Sequence, residues 1–406
     1  MKNKLLKAYI IWAVGFSFYL YQYFIKVIPS VITQDLEAIF SATAAQVATS
    51  VGMFLLIYAP MQLIVGTLFN TFGVKKIFIQ ACILLIISCL LPLIHTNTIF
   101  YFGLGRALMG LASSFSFVGV MYLCTVHFPK EKLAMLSGLT SGLGVLGAIC
   151  AQGFLPQIKG NYGYNNIWLI SILLGAVVLF LIFKFIPQDL KHTPDNNNTI
   201  WQKCKHDLGI IGKQWTNWNI GGIAGTLYMP FAVFADFFSL PYFTKICHFS
   251  DTQAAILVAL LNLTWALSSP IVGWISDKYN ARKMPLVLCG FTTSICFTLL
   301  LVMPQASFTT TAFISILIGI CCGGQAIGFV VGVENNPTEM HASSIAFINM
   351  IIMGACGLTQ VIIGHIINYC HQIYPITFSY QIGLGFISIT ILASTIVFAL
   401  KFNSSN

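Results

Sequence analysis

Three ionisable side chains, Lys26, Arg106 and Asp236, fall inside long apolar runs of the chain. A charge in a hydrocarbon layer is costly, so one that persists there is a candidate for binding or proton work. Arg106 lies well inside the run 98–120. Its planar guanidinium suits a carboxylate or phosphate, which it can hold through two parallel bonds; its other uses are bonding to backbone carbonyls or snorkelling outward. Lys26 ends the segment Tyr19-Leu20-Tyr21-Gln22-Tyr23-Phe24-Ile25-Lys26, in which Tyr19, Gln22, Tyr23 and Lys26 share one helical side. That side offers either a substrate contact or plain helix packing. Asp236 is the one acid well within an apolar run. Burial raises a carboxylate pKa and a nearby cation lowers it, so Asp236 suits pairing with Lys26 or Arg106 or carrying a coupling proton. Pro241 follows closely, and the same residue would also suit a helix end. Gln62, Gln152, Asn262, Gln325 and Asn349 are polar residues in other runs, fit to line a cavity or to bond helix to helix. Tyr58 and Trp265 are candidate cavity walls, and Glu334, before Asn335-Asn336-Pro337, reads as a gate or cap.

A second group of residues recurs. Gly66-Thr67-Leu68-Phe69-Asn70-Thr71-Phe72-Gly73-Val74-Lys75-Lys76 lies between two apolar runs, and Gly273-Trp274-Ile275-Ser276-Asp277-Lys278-Tyr279-Asn280-Ala281-Arg282-Lys283 lies in the same setting 207 positions later. Gly147 maps to Gly354 at the same offset, and Phe128-Pro129-Lys130-Glu131 to Asn336-Pro337-Thr338-Glu339 at 208. The repeat implies two homologous six-span halves, parallel about an axis along the membrane normal. At a helix end, Asp277 can accept bonds from a neighbouring helix N-terminus or from Arg282, forming a latch that closes the inner side in one state. Lys75 and Lys76 suit the same latch or a solvated loop.

The elements that must position these residues are membrane helices. The chain has 406 residues, 57% hydrophobic and 8% charged, with a mean hydropathy of +0.85; soluble domains carry about a quarter charged residues. Continuous apolar runs of about 20 residues are long enough to cross a bilayer, and helices satisfy the backbone there. Twelve runs meet that length: 8–28, 44–69, 77–95, 98–120, 134–156 and 166–186, then 220–241, 252–275, 284–304, 308–332, 342–368 and 376–400. The expected domains are therefore 1–187, a cytoplasmic linker 188–219 with Pro194 and Asn196-Asn197-Asn198, and 220–406. With the N-terminus inside, 16 of the 20 basic residues fall on the cytoplasmic side, so both termini are expected there. The net charge of +9 is then a topology signal and not a nucleic-acid footprint. The 12 cysteines include no C-x-x-C pair, and the chain has no Walker loop, H-E-x-x-H or G-x-S-x-G; no metal, cofactor or enzyme activity is expected. Without a nucleotide site, energy must come from an ion gradient or the solute's own gradient.

Over essentially its whole length the chain resembles the major facilitator superfamily. The family's signature after the second helix is a Gly, an acid four residues on, a second Gly and a basic cluster. Gly273, Asp277, Arg282 and Lys283 match it, with Asn280 replacing the second Gly; Gly66, Gly73, Lys75 and Lys76 match it, with Asn70 where the acid is expected. Gly105-Arg106-Ala107-Leu108-Met109-Gly110 and the glycine-rich stretch Gly138, Gly142, Gly144, Gly147 to Pro156 are similar to two further signatures. The resemblance implies an all-α fold of twelve helices in two pseudo-symmetric bundles, and a monomeric secondary carrier in the inner membrane moving a small polar solute by alternating access. The segments Tyr21–Ser30 and Glu334–Pro337, with Phe347-Ile348-Asn349-Met350, look like a bacterial nutrient-carrier branch related to lysosomal dipeptide carriers. That implies proton-coupled uptake of an amino acid or short peptide, with Lys26 or Arg106 taking the carboxylate and Asp236 the amine. The alternatives are a carrier for a drug or siderophore, or a membrane receptor or scaffold that transports nothing.

Overall fold

A computed structural model describes residues 2–42, 44–94, 98–188 and 200–402. The linker stretch 189–199, with Lys191, Pro194 and the three asparagines, lies outside the described residues. Among the described residues 90% are helical and there is no strand. The first six long helices are α1 (Lys2–Phe40), α2 (Ala44–Phe72), α3 (Val74–Ser88), α4 (Phe100–His127), α5 (Leu133–Tyr162) and α6 (Tyr164–Phe185). A linker helix, Ile200–Lys213, follows. Next comes α7, which joins Trp215–Asp236 to Ser239–Ile246 across a 66° bend. The last five are α8 (Asp251–Lys278), α9 (Lys283–Val302), α10 (Phe308–Glu334), α11 (His341–His371) and α12 (Ile376–Lys401). Eleven of these are long and apolar enough to cross a membrane, twelve if the bent α7 is one span.

Two ends differ from the hydropathy limits for a visible reason. Hydropathy ends the first helix at 28, yet α1 continues to Phe40. Beyond Pro29 the helix mixes apolar residues with Ser30, Thr33, Gln34, Asp35 and Glu37, and Asp35 pairs with Lys159 near the end of α5, which also donates to the Val31 carbonyl. The third run closes early because α3 ends at Ser88 and a short 3-10 turn, Leu91–Leu93, completes it.

The chain forms two compact units that are not contiguous in sequence. The first comprises Met1–Phe128, Leu143–Gly209 and Thr338–Ala346; the second comprises Pro129–Gly142, Ile210–Pro337 and Phe347–Asn406. Each unit holds most of one sequence half plus a short stretch from the start of α5 or α11. Within the first unit α2 packs on α4, α3 on α4 and α6, and α1 on α6. Within the second, α8 packs on α10, α9 on α10 and α12, and α7 on α12, the same pairings shifted by six helices. Glycine permits the closest crossings: a Cβ on Gly110 would meet the Phe54 carbonyl, and one on Gly138 or Gly142 would meet the Ser269 or Ala266 carbonyl. Close backbone approach at small residues is how helices associate where lipid removes the hydrophobic drive.

Candidate functional site

In the first unit the sequence candidates lie on α1, α2 and α4. Gly144 abuts the Tyr19 ring and Gly147 the Leu20 carbonyl, so α5 presses α1 from behind. Tyr19 and Tyr23 meet edge to face with centroids 5.0 Å apart, and their hydroxyls lie 3.4 Å from each other. The Lys26 ammonium lies 5.3 Å from the Tyr23 ring centre. Arg106 is 2% exposed; its Nη1 donates to the Ile25 carbonyl at 3.4 Å and its Nη2 to the Lys26 carbonyl at 3.3 Å. Pro29 explains why a carbonyl is available: it has no N–H to return to the carbonyl four residues earlier, which is that of Ile25. The guanidinium also lies over the Phe54 ring at 4.7 Å, and Phe54 stacks on Tyr58 at 6.0 Å. Gln62, fully buried, donates to the Ser114 carbonyl at 3.2 Å. Among the candidate side chains of this unit, Arg106 Nε and Gln62 Oε1 are buried with no hydrogen-bond partner. Of the uses open to Arg106, bonding to backbone carbonyls is the one present. Among the described residues, the spans that carry these side chains, Leu5–Pro29, Thr49–Phe72 and Phe100–His127, contain no acidic side chain, so nothing within them neutralises Lys26 and Arg106.

The second unit holds the remaining candidates. Asp236 sits in a π-helical stretch, Pro230–Phe238, just before the bend of α7, and it is exposed, within electrostatic range of Cys356 on α11. Wide turns of this kind are frequent at functional sites. Trp265 on α8 is 1% exposed, stacked on Phe231 at 4.3 Å with Tyr228 beyond at 5.8 Å. Gln325 lies in a 3-10 turn, Gly323–Ala326, that interrupts α10 where Gly323 meets the Ser268 hydroxyl of α8. Asn349 is buried in α11. Trp265 Nε1, Asn262 Oδ1 and Gln325 Oε1 are buried without partners. Unpaired buried polar atoms are rare enough that each calls for an explanation, a ligand among them. Gln152 lies on α5, with a side chain outside the described residues.

The repeated turns differ in how they are held. In the second unit Asp277 accepts from Met135 N–H at 2.9 Å and Ala134 N–H at 3.4 Å, the first turn of α5. Arg282 joins that carboxylate at 2.7 Å and forks onto Glu334, with Nη2 at 2.8 Å and Nε at 3.1 Å. Burial works to lower the Arg282 pKa, but bonds from Glu334 and Asp277 outweigh it and hold the pKa above the ordinary arginine value. Gly273 lies directly against the Ala134 carbonyl, where a Cβ would not fit. In the first unit Gly66 lies as close to the Ser343 backbone. There Asn70 donates to the Ser343 hydroxyl at 3.1 Å, while Lys75 and Lys76 rest on the rings of Phe183 and Phe72. Gly73 and Asn280 occupy matching positions with φ of 78° and 46°. Positive φ suits Gly and is tolerated best by Asn, which explains the one departure of the second copy from the signature. Lys283 opens α9.

Three pairings of this polar system are not readable from the sequence. Glu334 was marked as a gate, but its partner, Arg282, lies 52 residues away on another helix. Asn217 at the start of α7 exchanges amide bonds with Asn336 at 3.2 and 2.9 Å. Asp207 on the linker helix is 4% exposed and accepts from Ser343. For Asp207 a signal was present: it is the one acid in a linker helix whose other charged side chains are basic.

Comparison with known proteins matches this geometry to a family. The model described as Major Facilitator Superfamily matches residues 11–360. The chain is 21% identical over 373 residues to the probable nitrate/nitrite transporter NarK2 of Mycobacterium tuberculosis, covering 89% of this chain and 88% of that one. It is 26% identical over 165 residues to the MFS thioclapurine efflux transporter tcpA of Claviceps purpurea, covering 39% of this chain and 29% of that one. Among solved structures, the proton:xylose symporter XylE bound to 6-bromo-6-deoxy-D-glucose superposes with a TM-score of 0.76 at 13% identity, over 98% of this chain and 96% of that one. At that identity the likeness shows the fold alone.

Proposed function

Because the chain belongs to the Major Facilitator Superfamily, we propose that this membrane transporter is a secondary carrier for a small polar solute bearing an anionic group. The observation that carries this reading is the positive charge of Lys26 and Arg106 beside Tyr19, Tyr23 and Tyr58, on spans Leu5–Pro29, Thr49–Phe72 and Phe100–His127 that hold no acid among the described residues. Carbonyl dipoles shield Arg106 but do not cancel a full charge, so an entering anion is attracted. The carboxylate of an amino acid or short peptide fits this charge, because a guanidinium can hold it through two parallel bonds. Asp236, on an irregular and exposed turn, is suited to the amine or to the coupling proton, with uptake into the cytoplasm and both termini inside. The similarity to NarK2 favours a second reading, an inorganic oxyanion.

Thermal-shift screening of nanodisc-embedded protein against amino acids, dipeptides, nitrate, sugars and siderophores tests the reading. A carboxylate or oxyanion hit lost in both Arg106→Gln and Lys26→Gln is expected. A stabilising neutral sugar that survives both changes would overturn it. Uptake of the hit into proteoliposomes under an imposed pH gradient then tests Asp236→Asn; full gradient-driven uptake by that variant would remove the proton role.

A further inference from the structure

The first repeated turn lacks the acid that the second uses, and the structure supplies one from elsewhere. Asn70 occupies the position of Asp277, 207 residues earlier. At the same offset His127 stands where the second copy has Glu334, and Lys75 where it has Arg282. The first copy thus carries neither carboxylate, and its lysine lies on Phe183. Yet Gly66 still brings α2 against Ser343 in the first turn of α11, as Gly273 brings α8 against the first turn of α5. In the second unit the carboxylate of Asp277 receives that turn directly. In the first unit Asn70 donates to Ser343 Oγ at 3.1 Å, and Ser343 in turn donates to Asp207 Oδ2 at 3.0 Å. All three are buried, at 7%, 2% and 4% exposure. Asp207 and the fully buried Ile211 lie four residues apart on the inward face of the linker helix, while Gln202, Lys205 and His206 are exposed on the other. His206 Nδ1 lies 3.5 Å from the second carboxylate oxygen.

We propose that Asp207 is the displaced acid of the first turn, a positioning residue that holds the start of α11 against the end of α2 through Ser343. A carboxylate near a helix N-terminus complements the positive end of the helix, and its bond to the Ser343 hydroxyl polarises the one from Asn70. The linker helix thereby becomes a working part of the conformational cycle: the first turn is released only when Ser343 leaves both partners. This rests on the geometry of the first unit and is independent of which solute is carried.

Hydrogen exchange of the full chain in nanodiscs, followed on peptides spanning 338–346 with 100–127 as reference, tests the assignment. Asp207→Asn is expected to speed exchange in 338–346 about 10-fold or more, the factor a hydrogen bond to a charged acceptor supports, with 100–127 unchanged. Adding Asn70→Asp to that variant returns the acid to the position it has in the second copy and is expected to restore protection to within about 3-fold of the parent. A purely packing role for Asp207 would not be rescued from another helix. If Asp207→Asn does not yield folded protein, Ser343→Ala replaces it, with the same acceleration expected. Unchanged exchange in 338–346 in either single variant, or failure of Asn70→Asp to restore it, overturns the proposal.

Discussion

Replacing Asp277 by alanine removes three bonds at once, and the structure sets the size of the effect. The carboxylate, with its side chain 2% exposed, receives Met135 and Ala134 N–H and the Arg282 guanidinium. Loss of an acceptor at a helix start costs about 1 kcal/mol. Breaking a buried ion pair costs about 3–5 kcal/mol when the other charge is stranded; here Glu334 still engages Arg282 through two nitrogens, so less than half of that applies. The expected loss is about 2–3 kcal/mol. Arg282→Ala leaves two carboxylates without their cation and is expected to cost more, about 3–5 kcal/mol. The two changes share one contact, so the double variant falls short of the sum by about 1.5 kcal/mol or more. Unfolding free energies from denaturing-detergent titration of bicelle-embedded protein measure all three. Because the Arg282 pKa is held above the ordinary value, its contribution is complete below that range and is lost only at extreme alkaline pH, so the coupling is expected to stay constant between about pH 6 and 9. Additivity within about 0.5 kcal/mol would show that the three charges do not act as a network.

Other consequences follow from the same packing. Pro29→Ala returns an N–H to the Ile25 carbonyl, so Arg106→Met is expected to cost about 1–2 kcal/mol less in that background than in the parent; equal costs in the same titration would break the link between proline and arginine. Gly110→Leu drives a side chain into the Phe54 carbonyl and is expected to abolish folded protein in size-exclusion profiles, whereas Gly354→Ala, with open space at its Cβ, changes stability by less than about 1 kcal/mol. Asp35→Asn removes a pair whose side chains are 25–29% exposed and is expected to lower stability by no more than about 1 kcal/mol, a change that shrinks in high salt.

Much of this architecture is legible in the chain because the bilayer imposes it residue by residue. Length and apolarity of each run decide that it is a helix, and the 207-residue offset decides that there are two related sets of six. The positions of Gly73 and Asn280 even announce the positive-φ turns found there. Local pattern also marked Arg106, Asp277 and Glu334 as special, since a charge at membrane depth or at a helix end is conspicuous without any coordinates. What it could not supply was the partner of each charge. Arg106 binds two carbonyls on another helix, one of them freed by a proline, Arg282 reaches Glu334 52 residues away, and Asn70 is completed by Ser343 and Asp207 from two separate stretches. Such pairings depend on which helix faces cross and how closely, and those crossings are set by glycines whose effect is felt only against the opposing backbone. Hydropathy and spacing act along the chain, whereas charge compensation acts through space, so only the tertiary structure could join them.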